Sequence, residues 1–260
     1  LNSYIFNFKS VVFLTDSAGI ITDYDSRLTR ALKKTEKNTV IFLLKRFTTY
    51  VVLSESLIKY YNLNQKKCLV LPGFYNKDNS VLPSQYVDNS KFIIVYSGSI
   101  SVDYGLPFLN ELALLLKKDN CVIKETGKFS EENLKKFPEV FFTGFLIDED
   151  YDALMNEAHL FINPRDPSLE FSNLSFPSKI FVYVSYLKPI ISTDLESFTS
   201  QLRDYITISK TMNPLDFYTD VISIKKNYLH HSEKALELSN ICENEYSLIT
   251  IRNKIFNKLI

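Results

Sequence analysis

Short apolar runs that alternate with amphipathic stretches constrain this chain more than any other feature. Residues 11–15 (VVFLT), 50–54 (YVVLS), 68–72 (CLVLP), 92–97 (FIIVYS), 121–126, 140–143, 160–163 (LFIN), 189–193 (PIIST) and 206–209 read as strands. Between them, residues 27–44, 55–61, 106–118 and 177–187 read as helices, with a shorter one capped by Ser130 and running through 137. A further helix is expected to open at a capping Asp148, with Tyr151, Leu154, Met155 and Ala158 on one face. Residues 214–260 read as mostly helical. Strands that are apolar throughout, rather than alternating, are covered on both faces, and βα alternation of this kind gives an α/β protein with parallel sheets.

The alternation breaks once. Residues 74–90 are polar and rich in Asn, Asp, Ser and Pro, and read as a linker. The expected organisation is therefore a first Rossmann-like unit over 1–73 and a second, doubly wound unit over 91–214, with helices over 215–260 crossing back to the first unit. The first unit holds only about three expected strands, and the chain opens on Leu, so strands are expected to be missing upstream.

Charge and cysteine content remove several classes of function. Thirty Lys and Arg balance thirty Asp and Glu, so nothing favours a nucleic-acid partner. Three scattered cysteines fit neither a disulfide framework nor a zinc site and suit a reducing cytoplasm. No apolar run approaches the ~20 residues of a membrane span. No Walker sequence, G-x-G-x-x-G or G-x-S-x-G elbow occurs. His159, His230 and His231 have no acidic residue at a metal-site spacing, so no metal site is expected.

The candidate chemistry lies at strand ends. Gly98 and Ser99 follow one strand and Gly105 opens the next helix, which makes either an ordinary βα turn or a loop that lets backbone approach a phosphate. Gly127 and Gly144 each follow a strand and, with Gly98, would let a ligand lie across one sheet edge. Arg165 follows the 160–163 strand, where its guanidinium could pair with a phosphate. Ser178 and Lys179 fall in the first turn of the 177–187 helix. There the helix dipole disfavours a cation unless an anion is bound, so Lys179 is a candidate phosphate ligand rather than a surface charge. Asp16 ends the first strand and reads either as a turn cap or as a contact to an acceptor.

The runs YSGSISVDYGLPFL, AHLFINPR and FPSKIFVYVSYLKPIIST, with VVLSESLIKYY and LVLPGFY upstream, resemble glycosyltransferase family 4 (group 1) enzymes of bacterial capsule and exopolysaccharide synthesis. The resemblance implies a GT-B fold of two Rossmann-like domains, the first incomplete here. It also implies transfer, of hexosyltransferase type, from a nucleotide-diphosphate sugar to a glycan or lipid-linked acceptor, with retention and without metal or other cofactor. Such an enzyme works in the cytoplasm, with peripheral membrane association at the inner face in some settings. Gly98 and Ser99 would face the diphosphate, and Arg165 and Lys179 would neutralise it as the sugar leaves. The family's ribose-binding glutamate falls on Val182, which would otherwise pack in the core, and the small residue before its Lys-Pro step falls on Leu187. Glu170 is the nearby carboxylate and a candidate donor-site residue, although the sequence places it in the preceding loop, where it is not an obvious substitute. Two other readings stay open: a sugar-nucleotide-binding partner subunit with little or no activity, and a sugar-nucleotide epimerase of the same fold.

Overall fold

A computed structural model describes residues 9–22, 24–77, 91–98 and 105–259. Ser99 and most of the expected linker, 78–90, lie outside the described residues.

The first unit is a parallel sheet in the order β1 (Val11–Leu14), β2 (Thr49–Val52), β3 (Cys68–Val70). Helix α1 (Arg27–Leu44) starts where the Ser26 hydroxyl accepts from the Thr29 amide at 3.1 Å. β2 stops two residues short of the expected end because Ser54 is already the cap of α2 (Glu55–Tyr60). The Ser54 hydroxyl also donates to the Leu174 carbonyl at 2.8 Å, tying the first unit to the second.

The second unit is a six-stranded, wholly parallel sheet in the order β6-β5-β4-β7-β8-β9. Its strands are β4 (Phe92–Ser97), β5 (Cys121–Thr126), β6 (Phe141–Gly144), β7 (Leu160–Asn163), β8 (Ile190–Thr193) and β9 (Thr207–Ser209). Numbered within the unit, the order is 3-2-1-4-5-6, the doubly wound order whose reversal falls between β4 and β7. Helices α3 (Gly105–Leu116), α4 (Glu131–Lys136) and α5 (Asp148–Glu157) connect the first four strands.

Both faces of this sheet are covered. On one, Phe92, Ile94, Ile123 and Ile162 pack with Leu109 and Leu112 of α3 and with Phe217 and Val221 of α9 (Pro214–Lys226). On the other, Ile93, Val95 and Phe161 pack with Leu154 and Met155 of α5, with Ile180 and Tyr183 of α7 (Lys179–Ser185), and with Leu238 and Cys242 of α10 (Tyr228–Tyr246). Each fully buried Leu, Ile or Phe contributes about 1.5–3 kcal/mol relative to leaving it exposed, so the core lies where the apolar strands predicted it.

Several local expectations are corrected. A short helix, α6 (Glu170–Leu174), occupies the segment expected to be loop. α7 begins at Lys179 rather than at 177, because the Pro177 and Ser178 carbonyls accept its first bonds, from Ile180 and Phe181. It ends by Ser185 because Leu187 turns left-handed at φ +56°. Asp148 does not cap α5: it is the first helical residue at φ +47°, and no side chain caps that end. After α8 (Ser200–Tyr205) and β9, the expected C-terminal helical run divides at Asn227 and Ser247 into α9, α10 and α11 (Leu248–Leu259). α10 receives the Tyr75 amide on its Tyr246 carbonyl at 2.7 Å, and Lys9 donates to the Leu259 carbonyl at the end of α11. No helix among the described residues is long and apolar enough to cross a membrane.

Candidate active site

In an open parallel sheet, the connections leaving the two strands at a switch point run to opposite faces and leave a crevice at the strands' carboxyl ends. Here those ends are Ser97-Gly98 of β4 and Asn163-Pro164-Arg165 of β7. β4 is held rigidly at this point. The Ser97 amide donates to the buried Tyr183 hydroxyl at 2.9 Å, and the Ser97 and Tyr151 hydroxyls share a hydrogen bond of 2.9 Å. Tyr183 is itself stacked on Phe161, 4.5 Å between ring centroids.

The three candidate glycines come together along the edge. The Gly98 amide donates to the Thr126 carbonyl at 2.9 Å, and the Gly127 amide to the Gly144 carbonyl at 3.1 Å. Gly98 has φ +117° and Gly144 φ +80°, a region that L side chains rarely adopt. Gly127 and Gly144 border a shallow hollow of about 510 Å³ with Lys128, Phe129, Phe142 and Phe145.

Lys179 and Arg165 converge on a separate cleft, also of about 510 Å³, with Ser178 on its rim. Asn163, Tyr96 and Gly105 line it from the second unit, and Thr15, Asp16, Pro72 and Gly73 from the first. The first unit thus supplies one wall, and Asp16 faces the cleft whether or not it also caps its turn. Arg165 donates to the Ser175 carbonyl at 3.2 Å and lies over the Phe171 ring, while Thr193 donates to the Arg165 carbonyl. Those contacts fix a planar, permanently charged donor at the end of β7.

Lys179, expected as a phosphate ligand rather than a surface charge, is only partly exposed. α7 carries its neighbours Ile180 and Tyr183 against Ile93 and Val95, but the Lys179 side chain crosses the carboxyl end of β4. Its Nζ lies 5.0 Å from the Tyr96 ring centroid and directly in front of Gly98. Burial pulls its pKa down to about 8, opposed by Glu125 and assisted by Arg165.

Glu125 was missed by sequence reasoning. It is 0% exposed, and neither carboxyl oxygen has a hydrogen-bond partner among the described residues. Burial raises its pKa to about 8, and Lys179 works against that rise. The signal was available: on β5, Glu125 shares the face of Cys121 and Ile123, both core residues.

Two expectations are not met. Val182 is 39% exposed on α7 rather than packed in the core. Glu170 is exposed at the start of α6, where its charge acts on Tyr60 of α2, and it does not line the cleft with Arg165 and Lys179. His159 is structural: it accepts from the Ile93 amide at 3.1 Å and stacks on Phe92. Among the described residues, no group of three His, Cys, Asp or Glu side chains could hold a metal ion.

No protein-family model and no curated protein matches this chain. Solved structures do. HepE of Anabaena, in complex with UDP and glucose, superposes with a TM-score of 0.68 at 15% identity, over 99% of this chain and 73% of its own. A mutant of S. aureus TarM, in complex with fondaparinux, alpha-GlcNAc-glycerol and UDP, gives 0.68 at 15% identity, over 98% of this chain and 51% of its own. A glycosyltransferase of Rickettsia africae gives 0.66 at 14%, over 99% and 78%. The fold is GT-B. In a GT-B protein two Rossmann-like units face each other across a cleft, and the cleft holding Arg165 and Lys179 has walls from both units. The chain spans about half the length of TarM, 51%, so its likeness to TarM is to part of that protein.

Proposed function

We propose that this chain is the donor-binding part of a glycosyltransferase, moving a sugar from a nucleotide-diphosphate sugar to a glycan or lipid-linked acceptor. One observation carries the reading: at the switch point of a GT-B fold, the Lys179 ammonium reaches in front of Gly98, where backbone and cation could hold a diphosphate together. Arg165, fixed by Ser175 and Phe171, supplies a second and permanent charge on the same cleft. The crystal complexes of HepE and of TarM contain UDP, which supports a nucleotide in a cleft of this type.

In this reading catalysis is positioning together with electrostatic stabilisation. As the glycosidic bond to the diphosphate breaks, negative charge grows on the departing oxygen, and preorganised cations in a water-poor cleft stabilise that charge more than they stabilise the ground state. Arg165 and Lys179 would take the part that a metal ion plays elsewhere, and transfer would retain anomeric configuration. Asp16, which lines the cleft from the first unit, would meet an acceptor hydroxyl in this reading. Membership of the group 1 enzymes of polysaccharide synthesis, working at the inner face of the membrane, is the setting this reading favours.

A second reading has its own support. The exposed residue one turn beyond Lys179 is Val182, which offers no carboxylate to a ribose, and this favours a sugar-nucleotide-binding partner subunit without turnover. Incubation with UDP-, GDP- and ADP-sugars, following release of nucleoside diphosphate with and without glycan acceptors, separates the two. Release that requires Lys179 supports the transferase. Binding without release supports the partner subunit, and neither binding nor release defeats both.

A further inference from the structure

Glu125 has no place in the mechanism above, yet it is a fully buried carboxyl group beside the candidate site. It is fully enclosed, and among the described residues neither of its oxygens has a hydrogen-bond partner. A buried carboxylate with no hydrogen bond is costly, and folds tolerate one when the group is neutral or an opposite charge is within reach. One oxygen abuts the end of its own strand: a Cβ on Gly127 would be 3.3 Å from Oε1 and 3.1 Å from the Gly98 carbonyl. Tyr96 is its cross-strand partner on β4, and Tyr183 and Lys179 of α7 interact with it directly; Tyr151 of α5 faces Tyr183, and Arg165, from the segment after β7, acts on Lys179. Lys179 is the charged group that acts on Glu125.

We infer that Glu125 is a positioning residue that sets the charge and the resting place of Lys179: with the donor site empty it draws the ammonium over Gly98, and it yields that ammonium to a diphosphate when one binds. The inference rests on the cleft being a diphosphate site. With the diphosphate bound, two anions would face one lysine, so Glu125 carries a proton, taken from solvent whenever the carboxyl was ionised beforehand. Burial pushes the Tyr151 and Tyr183 hydroxyls up, so they stay neutral, and Arg165 stays charged, which leaves Glu125 and Lys179 as the groups whose protonation changes against solvent.

The directions of the shifts agree with this geometry. Burial moves Glu125 up and Lys179 down until both titrate at about 8, and each opposes the shift of the other. With Gln in place of Glu125, burial and Arg165 would act on Lys179 unopposed, and its pKa would fall further.

Two measurements on the full chain test this, using Glu125→Gln and Lys179→Met. The first needs no ligand. The ε-carbon resonance of Lys179, assigned by its loss in K179M, should titrate near 8 in the parent and at lower pH in E125Q. A midpoint near the ordinary lysine value of ~10.4 in the parent, or the same midpoint in both proteins, overturns the inference. If E125Q does not fold, the carboxyl-carbon resonance of Glu125 decides: its midpoint should lie higher in K179M than in the parent, and an unmoved midpoint overturns the inference. The second is UDP affinity from about pH 6 to about pH 9.5, with GDP and ADP in parallel. Affinity should fall as pH rises, and the fall should move to lower pH in E125Q, by as much as the lysine midpoint moves. A constant factor between the two proteins at every pH makes Glu125 a core residue only and overturns the inference. If K179M binds all three nucleotides as the parent does while the lysine midpoint still shifts, the diphosphate reading fails although the coupling of the two side chains stands.

Discussion

The Lys179 ammonium fills the space where Gly98 would carry a side chain: a Cβ there would be 1.3 Å from Nζ. Gly98 also has φ +117°, which a non-glycine residue adopts only under strain. Gly98→Ala therefore has two consequences. The flexible lysine can swing away, so the steric part costs little, but its ammonium leaves the end of β4. The backbone strain stays and should cost about 1–3 kcal/mol of stability. The midpoint of chemical denaturation and the nucleotide affinity should both fall. An unchanged denaturation midpoint together with unchanged affinity would show that neither the conformation at Gly98 nor the placement of Lys179 matters.

Tyr183 holds the same strand end from below. Its hydroxyl is the acceptor for the Ser97 amide, 2.9 Å away in a fully buried setting. Tyr183→Phe keeps the ring stacked on Phe161 and leaves that amide unsatisfied. The expected loss is about 1–3 kcal/mol in denaturant unfolding, with hydrogen exchange at Ser97 and Gly98 accelerated. Unaltered stability and exchange would mean that another acceptor takes over the Ser97 amide.

Val182 offers a gain of function. At 39% exposure on α7, one turn beyond Lys179, it can be changed without opening the core. Val182→Glu should leave stability nearly unaltered. If a ribose lies beside this turn, the change should tighten nucleotide binding by about 1.5–3 kcal/mol through a charged hydrogen bond. Calorimetry showing equal or weaker binding in the folded variant means that residue 182 does not face the ribose.

The fold was legible in the sequence because a parallel sheet covered on both faces demands continuous apolar strands, and VVFLT, FIIVYS, LFIN and PIIST provide them. The glycines and the cations at strand ends were legible for a related reason: few residue types suit those positions. The misses have physical causes. The five residues of α6 are too few to show a helical period. Asp148 looked like a cap, but it adopts a left-handed φ as the first helical residue, and no local pattern announces that. Lys179 was read from its own helix, whereas its environment is set by Tyr96, Gly98 and Glu125 on two neighbouring strands. Leu187 was noticed as an unusual residue before Lys188-Pro189, and its φ of +56° shows why a small residue suits that place. It is tolerated here while 97% of its surface is buried, given its 3% exposure.

The central claim is that Lys179 holds a diphosphate, and Lys179→Ala tests it directly. Titration calorimetry below pH ~7.5, where the lysine is mostly charged, should compare UDP with uridine, and the GDP and ADP pairs likewise. The variant should lose about 1.5–3 kcal/mol, roughly ten- to hundredfold in affinity, for the diphosphate, and almost nothing for the nucleoside, because one charged hydrogen bond is removed while Arg165 and the backbone remain. Equal affinities of parent and variant for the diphosphate, or equal losses for diphosphate and nucleoside, would contradict the account.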